Sequence, residues 1–394
     1  MPRITQSVES ALSMAVSEGV CSGATCVIVR DGAVAATAAV GTLASIHADG
    51  TRVRSDQLEP VTDSSWFDLA SITKVVSAIT LHTLVERGQL GYDEPVSTHL
   101  AGYRGDRERE RVTLRHLLTH TSGLPDIFPD WERRINGWVA GNPGQVVREW
   151  PLSDRRDLRE SLERLPLMSP PQTVWRYSCV GYNTAMLVAE KATGQRWADL
   201  VRGLVLDPLG LDEISFSPTD EVAATEIDND HARGVIRGIV HDEFSWALGG
   251  QNANAGLFGT ARAVAALAEA IRLDQLPCTR DGLWLNEMPH LLGRPVCDPD
   301  EAPWGHSMGL RIGQLSWMSH PDLPAGTGSQ ARGHTGFTGT SVFTDDDSAL
   351  TVALMTNRVH PTRNAVGAAG AEAVTALRSQ IARLAHSDGA PQSA

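Results

Sequence analysis

Trp66-Phe67-Asp68-Leu69-Ala70-Ser71-Ile72-Thr73-Lys74 sets a serine three residues ahead of a lysine at the start of a helical pattern. Ile72, Val75, Val76 and Ile79 recur at i, i+3, i+4 and i+7, so the spacing predicts a helix over Thr73–Glu86. Residues three apart on a helix share a face, which puts Lys74 beside Ser71. A serine hydroxyl is a poor nucleophile unless a neighbour takes its proton. Lysine can do so only where burial or nearby positive charge lowers its pKa from about 10.4. The helix N-terminus would also favour negative charge developing at Ser71. Taken alone, S-x-x-K occurs often by chance, with the serine an ordinary N-cap and the lysine on a wet surface. The weight comes from what surrounds it.

Upstream, a helical opening segment leads into two strand-like runs, Ala24–Arg30 and Val34–Val40, with Asp31-Gly32 between them as a hairpin turn. The far end mirrors this: Gly309–Ile312, Gln314–Met318, Ser341–Thr344 and Leu350–Asn357 read as short strands, followed by a helix over Asn364–Leu384. Between the two ends, Leu114–Leu118, Ser153–Leu165, Tyr182–Ala192 and Ala261–Ile271 suit helices. The expected fold is α/β (α+β), one antiparallel sheet built from both termini with flanking helices and an inserted, mainly helical subdomain. One catalytic domain is expected over 1–385, its sheet part about 1–70 and 301–385 and its helical part about 71–300, with a disordered tail over 386–394. The segment Asp126–Ser169 carries Trp131, Trp138 and Trp150 among arginines and carboxylates. It reads as a solvated helix face over core tryptophans, or as a lid over a cleft.

Downstream lie Val112–Pro125 (VTLRHLLTHTSGLP), Trp175-Arg176-Tyr177-Ser178-Cys179-Val180-Gly181-Tyr182 and Gly333-His334-Thr335-Gly336-Phe337-Thr338-Gly339-Thr340. In this order, after the Ser71 block, the elements resemble the β-lactamase-related serine hydrolases, a superfamily that includes class C β-lactamases, D,D-peptidases, esterases and some acyltransferases. The resemblance implies an acyl-enzyme on Ser71, with Lys74 as proton acceptor or electrostatic partner and Tyr177 as the second base. It implies that His334, Thr335 and Gly336 stand for a K-T-G element and line the substrate site with Cys179. It also implies an oxyanion hole from the backbone N–H groups of Ser71 and Phe337. Lys74 and Tyr177 both have reference pKa values near 10 and would titrate as a coupled pair, so which one takes the Ser71 proton stays open.

Two departures matter. Cys179 stands where the third position of Y-x-N is usually an amide, and a thiol cannot supply an amide's two donors and one acceptor. His334 stands where K-T-G has lysine, so a fixed cation for a substrate carboxylate is expected to be missing, and an imidazole titrating close to pH 7 takes its place. Both argue against a dedicated β-lactamase. His116 and His120, four apart, lack the H-E-x-x-H glutamate and are not expected to bind metal. Asp242 is expected to cap a loop. No nucleotide motif in a strand-turn-helix setting occurs, so no cofactor is implied.

Composition narrows the class further. The chain has 394 residues, 42% hydrophobic, and a net charge of −13 from 34 basic and 47 acidic residues. That is enough for a large core, and the acidity disfavours nucleic acid and anionic membranes as partners. No stretch of about 18 uncharged apolar residues could span a bilayer. MPRITQSVESALSMAVSEGV lacks the marks of a secretory signal, and five cysteines without a C-x-x-C pair suit reduced thiols, so a cytoplasmic protein is expected. The expected function is an esterase- or amidase-type hydrolase of a small molecule. The alternatives are a transacylase passing the acyl group from a small-molecule donor to an amine or alcohol, and a catalytically silent binder.

Overall fold

The computed structural model describes residues 3–47, 49–129, 131–142, 145–146, 149, 152–297, 301–364 and 369–387. Trp150 and tail residues 388–394 lie outside them.

The chain ends build one sheet. Strands Gly23–Arg30 and Ala33–Gly41 form a hairpin, and its turn residues Asp31 (φ 50°) and Gly32 (φ 77°) take the left-handed backbone that a two-residue turn demands. Gly23–Arg30 pairs antiparallel with Leu350–Thr356 from the other end of the chain. The sheet then continues through Ser341–Asp345, Arg332–Thr335, Arg311–Ile312 and Gly305–His306, seven strands among the described residues.

Both faces of this sheet are covered, which is why Gly23–Arg30 and Leu350–Thr356 are apolar without alternation. Val27, Val29, Ala353 and Met355 face the larger core, shared with the helical half. Cys26, Ile28, Val352 and Leu354 face the opposite way. There they meet Ile4, Val8 and Leu12 of the first helix (Arg3–Ser17) and Leu377 and Ile381 of the last (Ala369–Ser387). The inserted part is mainly helical: Thr73–Glu86, Leu114–Leu118, Leu152–Leu162, Cys179–Thr193 and Ala261–Arg272.

Two expectations need correction. Gln314–Met318 is no strand: Leu315–Met318 makes a helical turn, because the Gln314 carboxamide accepts the Trp317 indole N–H at 2.7 Å and its carbonyl accepts from Met318 N at 3.2 Å. The last helix runs through His386 and Ser387, where a disordered tail was expected to begin; His386 stacks on Phe343 at 6.1 Å. In the tryptophan-bearing segment, Trp138 packs against the main core and Leu158 and Leu162 are buried in it.

The helix Thr73–Glu86 is buried nearly all round, and its N-terminal turns carry the segment that completes the site. Thr73 Oγ1 accepts from Leu257 N at 3.2 Å, Lys74 Nζ donates to Asn254 O at 2.9 Å, and Ser77 Oγ donates to Ala253 O at 2.9 Å. Three side chains of one helix end thereby fix residues 253–257 alongside Lys74.

Candidate active site

Ser71 sits in a tight turn between a short strand, Phe67–Asp68, and the helix Thr73–Glu86. Ala70, just before it, has φ 45°, a left-handed backbone that costs a non-glycine residue about 1–2 kcal/mol. Asp68 offsets this strain. Its Oδ1 accepts from Ala70 N at 2.8 Å and its Oδ2 from His241 N at 2.6 Å. Burial pushes the Asp68 carboxyl up, opposed by these donors.

The strand Arg332–Thr335 delivers the second wall. Gly336 follows it and lies so close to the serine turn that a Cβ there would stand 2.8 Å from Leu69 O and 2.1 Å from Thr340 Oγ1. Only glycine fits this approach. Thr338 Oγ1 donates to Asp68 O at 2.8 Å, and Thr340 Oγ1 to Leu69 O at 3.2 Å. From behind, the buried Arg378 guanidinium donates to Gly336 O at 3.2 Å and Thr340 O at 3.0 Å.

Lys74 is fully buried, and its three protons are all placed. Nζ donates to Ser71 Oγ at 3.0 Å, Asn254 O at 2.9 Å and Cys179 Sγ at 3.4 Å. It lies 4.9 Å from the centre of the Tyr177 ring and 5.7 Å from that of Tyr182. Burial works to lower the Lys74 pKa, but its contacts with Cys179, Tyr177 and Asp242 outweigh it, and the net direction is up. Lys74 is therefore a cation at neutral pH. Cys179 opens the helix Cys179–Thr193, capped by Ser178 Oγ, which accepts from Gly181 N at 2.9 Å. Burial raises the Cys179 thiol, with Lys74 opposing, so it stays protonated.

His334 is buried, not poised near neutrality. Burial, with Arg311 and Lys74 nearby, holds its imidazole well below its ordinary pKa, so it is uncharged across the physiological range. Its Nδ1 lies 2.8 Å from Thr335 O, which fixes the proton there. A guanidinium nonetheless stands close by. Arg311, on the neighbouring strand and paired in register with Gly333, brings its guanidinium within 5.6 Å of the Tyr177 ring centre and 5.7 Å of that of Trp304. Phe337 lies on the surface, 49% exposed, beside His241 at 5.6 Å and the Arg358 guanidinium at 4.7 Å.

The sequence profile of the β-lactamase family matches residues 8–377. The chain belongs to the β-lactamase family. It is an enzyme of the β-lactamase-like serine hydrolase superfamily. It is similar to the esterase EstB of Burkholderia gladioli, 36% identical over 196 residues, which is 47% of this chain and 47% of the esterase. It is 28% identical to an N-acetylmuramyl-L-alanine amidase of Bacillus subtilis over 86% of this chain and 77% of the amidase. In fold it resembles EstCE1, a hydrolase with promiscuous acyltransferase activity, with a TM-score of 0.68 at 22% identity over 95% of this chain and 98% of that one. A D-amino acid amidase from Ochrobactrum anthropi gives a TM-score of 0.68 at 19% identity, over 96% and 97%.

Two further groups of residues border Lys74 and Tyr177. Asp242 does cap a helix, accepting from Ser245 N at 2.6 Å, and the same Oδ1 also accepts from Asn254 Nδ2 at 3.1 Å. Beyond Tyr177 stands a wall of rings: His120 lies 4.6 Å from Tyr177 and 5.2 Å from His306, and Trp175 lies 5.0 Å from Trp304. His116 and His120 serve separate ends. His116 Nδ1 accepts from Thr113 N at 3.2 Å in a capping box, and His120 Nδ1 accepts from Ser178 N at 3.1 Å. No helix among the described residues is long and apolar enough to cross a membrane.

Proposed function

We propose that this chain forms a covalent acyl-enzyme on Ser71 and acts as an esterase- or amidase-type hydrolase of a small molecule. The observation that carries this reading is the buried Lys74 ammonium bonded to Ser71 Oγ at 3.0 Å and closed on its other sides by Asn254 and Cys179. A lysine already charged and donating to Oγ stabilises the alkoxide as it develops. Tyr177 is then the group that, acting as its phenolate, takes the Ser71 proton and afterwards returns it to the leaving group. The backbone N–H groups of Ser71 and Phe337 form the oxyanion hole, each worth roughly 3–4 kcal/mol of barrier lowering. The contact of Gly336 with Leu69 supports this, since it fixes one donor strand against the serine turn. Arg311 favours substrates with a carboxylate or other acceptor on the side of Tyr177, and neutral His334 and Thr335 line the same side. The esterase and amidase names of the similar proteins agree with an ester or amide substrate. The five cysteines, all free, agree with a reducing compartment.

Transfer to an amine or alcohol is the second reading, favoured by the wall of Trp175, Trp304, His120 and His306 beside Tyr177. Such a wall keeps water from the acyl-enzyme while an acceptor docks. Turnover of a p-nitrophenyl ester series with and without added amines separates the two. Free acid at every amine concentration supports hydrolysis, and rising amide at the expense of acid supports transfer. No turnover that depends on Ser71 would defeat both.

A further inference from the structure

A buried arginine usually meets a carboxylate, but Arg378 meets only carbonyls. It lies in the middle of the last helix, Ala369–Ser387, between the core residues Leu377 and Ile381. Its Nη2 donates to Gly336 O at 3.2 Å and Thr340 O at 3.0 Å, and its Nε has no acceptor. Among the described residues no carboxylate stands within ion-pair distance of it. Burial, with the Arg358 and Arg311 guanidiniums nearby, brings its pKa down to about 9, which still leaves it charged at neutral pH. A buried cation without a counter-ion is costly, and an apolar side chain would fill the same place more cheaply.

What the cation touches explains its presence. The two carbonyls close the turn between the strands Arg332–Thr335 and Ser341–Asp345, where Gly336 N donates to Thr340 O at 2.7 Å and Gly339 N to Gly336 O at 3.0 Å. Gly336 C=O and Phe337 N–H belong to one peptide unit. That unit is trans, so its carbonyl and its N–H point in opposite directions. The carbonyl faces the guanidinium; the N–H faces away from it, and among the described residues no protein acceptor takes it. A hydrogen bond received at the oxygen draws electron density from the nitrogen, and a charged donor does so more than a neutral one. The N–H becomes a stronger donor as a result. The other expected oxyanion donor, Ser71 N–H, shares its peptide unit with Ala70 O, which accepts only from the backbone N–H of Thr73.

We propose that Arg378 is a positioning residue for the oxyanion hole, aiming and polarising the Gly336–Phe337 peptide unit so that Phe337 N–H binds a developing oxyanion more strongly. The cation acts through the peptide and touches no substrate. A carboxylate partner would cancel the field that it puts on that peptide, which accounts for the missing counter-ion. This inference rests on the reading of Phe337 N–H as an oxyanion donor for its kinetic consequences, and on the hydrogen bonds to Gly336 and Thr340 for the polarisation.

Arg378→Met removes the charge and the donors while keeping an unbranched side chain. The rate of acylation by a p-nitrophenyl ester should fall about tenfold, less than the 10²–10³-fold that loss of a whole oxyanion donor brings. KM should stay near its original value, because the interaction grows only in the transition state. Arg378→Lys, which keeps a charged donor, should recover most of the loss. The matching thionoester separates polarisation from mere support, since its sulfur accepts poorly from N–H. Its rate should fall much less than that of the ester in Arg378→Met. Equal losses for the two substrates, or an unchanged ester rate, would overturn the proposal. Should Arg378→Met fail to fold by circular dichroism and melting, Arg378→Gln, which loses the charge but keeps an N–H, carries the same comparison. The free protein offers a readout without turnover. With phenylalanine labelled by heavy nitrogen, the Phe337 amide nitrogen resonance, assigned by its loss in Phe337→Leu, should move upfield when Arg378 is replaced. An unmoved resonance would equally overturn the proposal. Turnover persisting in Ser71→Ala would defeat the acyl-enzyme reading instead, with the Phe337 resonance still deciding the place of Arg378.

Discussion

The serine turn and the histidine wall face each other across Tyr177, and they are built on opposite principles. In the serine turn side chains hold the backbone around Ser71: Asp68 on Ala70 and His241, Thr338 on Asp68, Thr340 on Leu69. In the wall, His120, His306 and His334 are buried with one ring nitrogen bonded and Nε2 left without a protein partner. Ser178 N donates to His120, which leaves its Nε2 protonated. His306 and His334 give their Nδ1 protons to carbonyls, which leaves their Nε2 atoms as acceptors. One wall is over-determined and suits a reacting atom that must not move. The other keeps donors and acceptors in reserve, at a cost in burial, and suits a ligand that must be selected.

If that contrast holds, changes on the serine side should strike kcat and changes on the wall should strike KM. The largest effect should come from Ser71→Ala, a loss of order 10⁴–10⁶-fold in kcat. Gly336→Ala comes next. Its Cβ would meet Leu69 O at 2.8 Å, so the turn and the facing strand must separate, and kcat should fall about a hundredfold. Circular dichroism and thermal melting would show whether the fold survives the change.

Arg311→Gln should have a smaller and different effect. For esters bearing a carboxylate KM should rise about tenfold or more, as expected for a lost charged hydrogen bond. Neutral esters should be spared. Equal losses for both ester classes would mean that Arg311 only supports the wall.

The least effect on activity, and a clear one on stability, should come from acid. Burial holds His306 down at about 3, and His82, His116 and His360 at about 4, against an ordinary 6.5. Below pH 6.5 the unfolded chain binds protons that the folded chain refuses, so stability is lost as the pH falls from about 6.5 to 4. The urea midpoint should drop steadily over that window, and His306→Gln should flatten the slope. An unchanging midpoint from pH 7 to 4.5 would show these histidines to be less buried than described.

Much of this is legible in the sequence. Ser71 and Lys74 could be paired because their spacing is local and helical, and Tyr177 because its block recurs in order. The hairpin Asp31-Gly32 and the helix Leu114–Leu118 were equally local. What escaped was set by distant parts of the chain. Arg311 reaches the site through its register with Gly333, and no pattern within Gly309–Ile312 signals that. His334 looked like a titrating group because its side chain has an ordinary pKa near neutrality; burial in the sheet decides otherwise. Asn254 has no motif at all. It is found only once residues 253–257 are laid along the serine helix. Gln314–Met318 has the apolar content of a strand, but one carboxamide curls it into a helical turn.

The central claim is the acyl-enzyme on Ser71, and intact-protein mass after brief exposure to a p-nitrophenyl ester tests it most directly. A single added acyl mass, mapped to the peptide carrying Ser71 and absent from Ser71→Ala, is the predicted result. An adduct on another residue, or one that forms equally well on Ser71→Ala, would contradict the account.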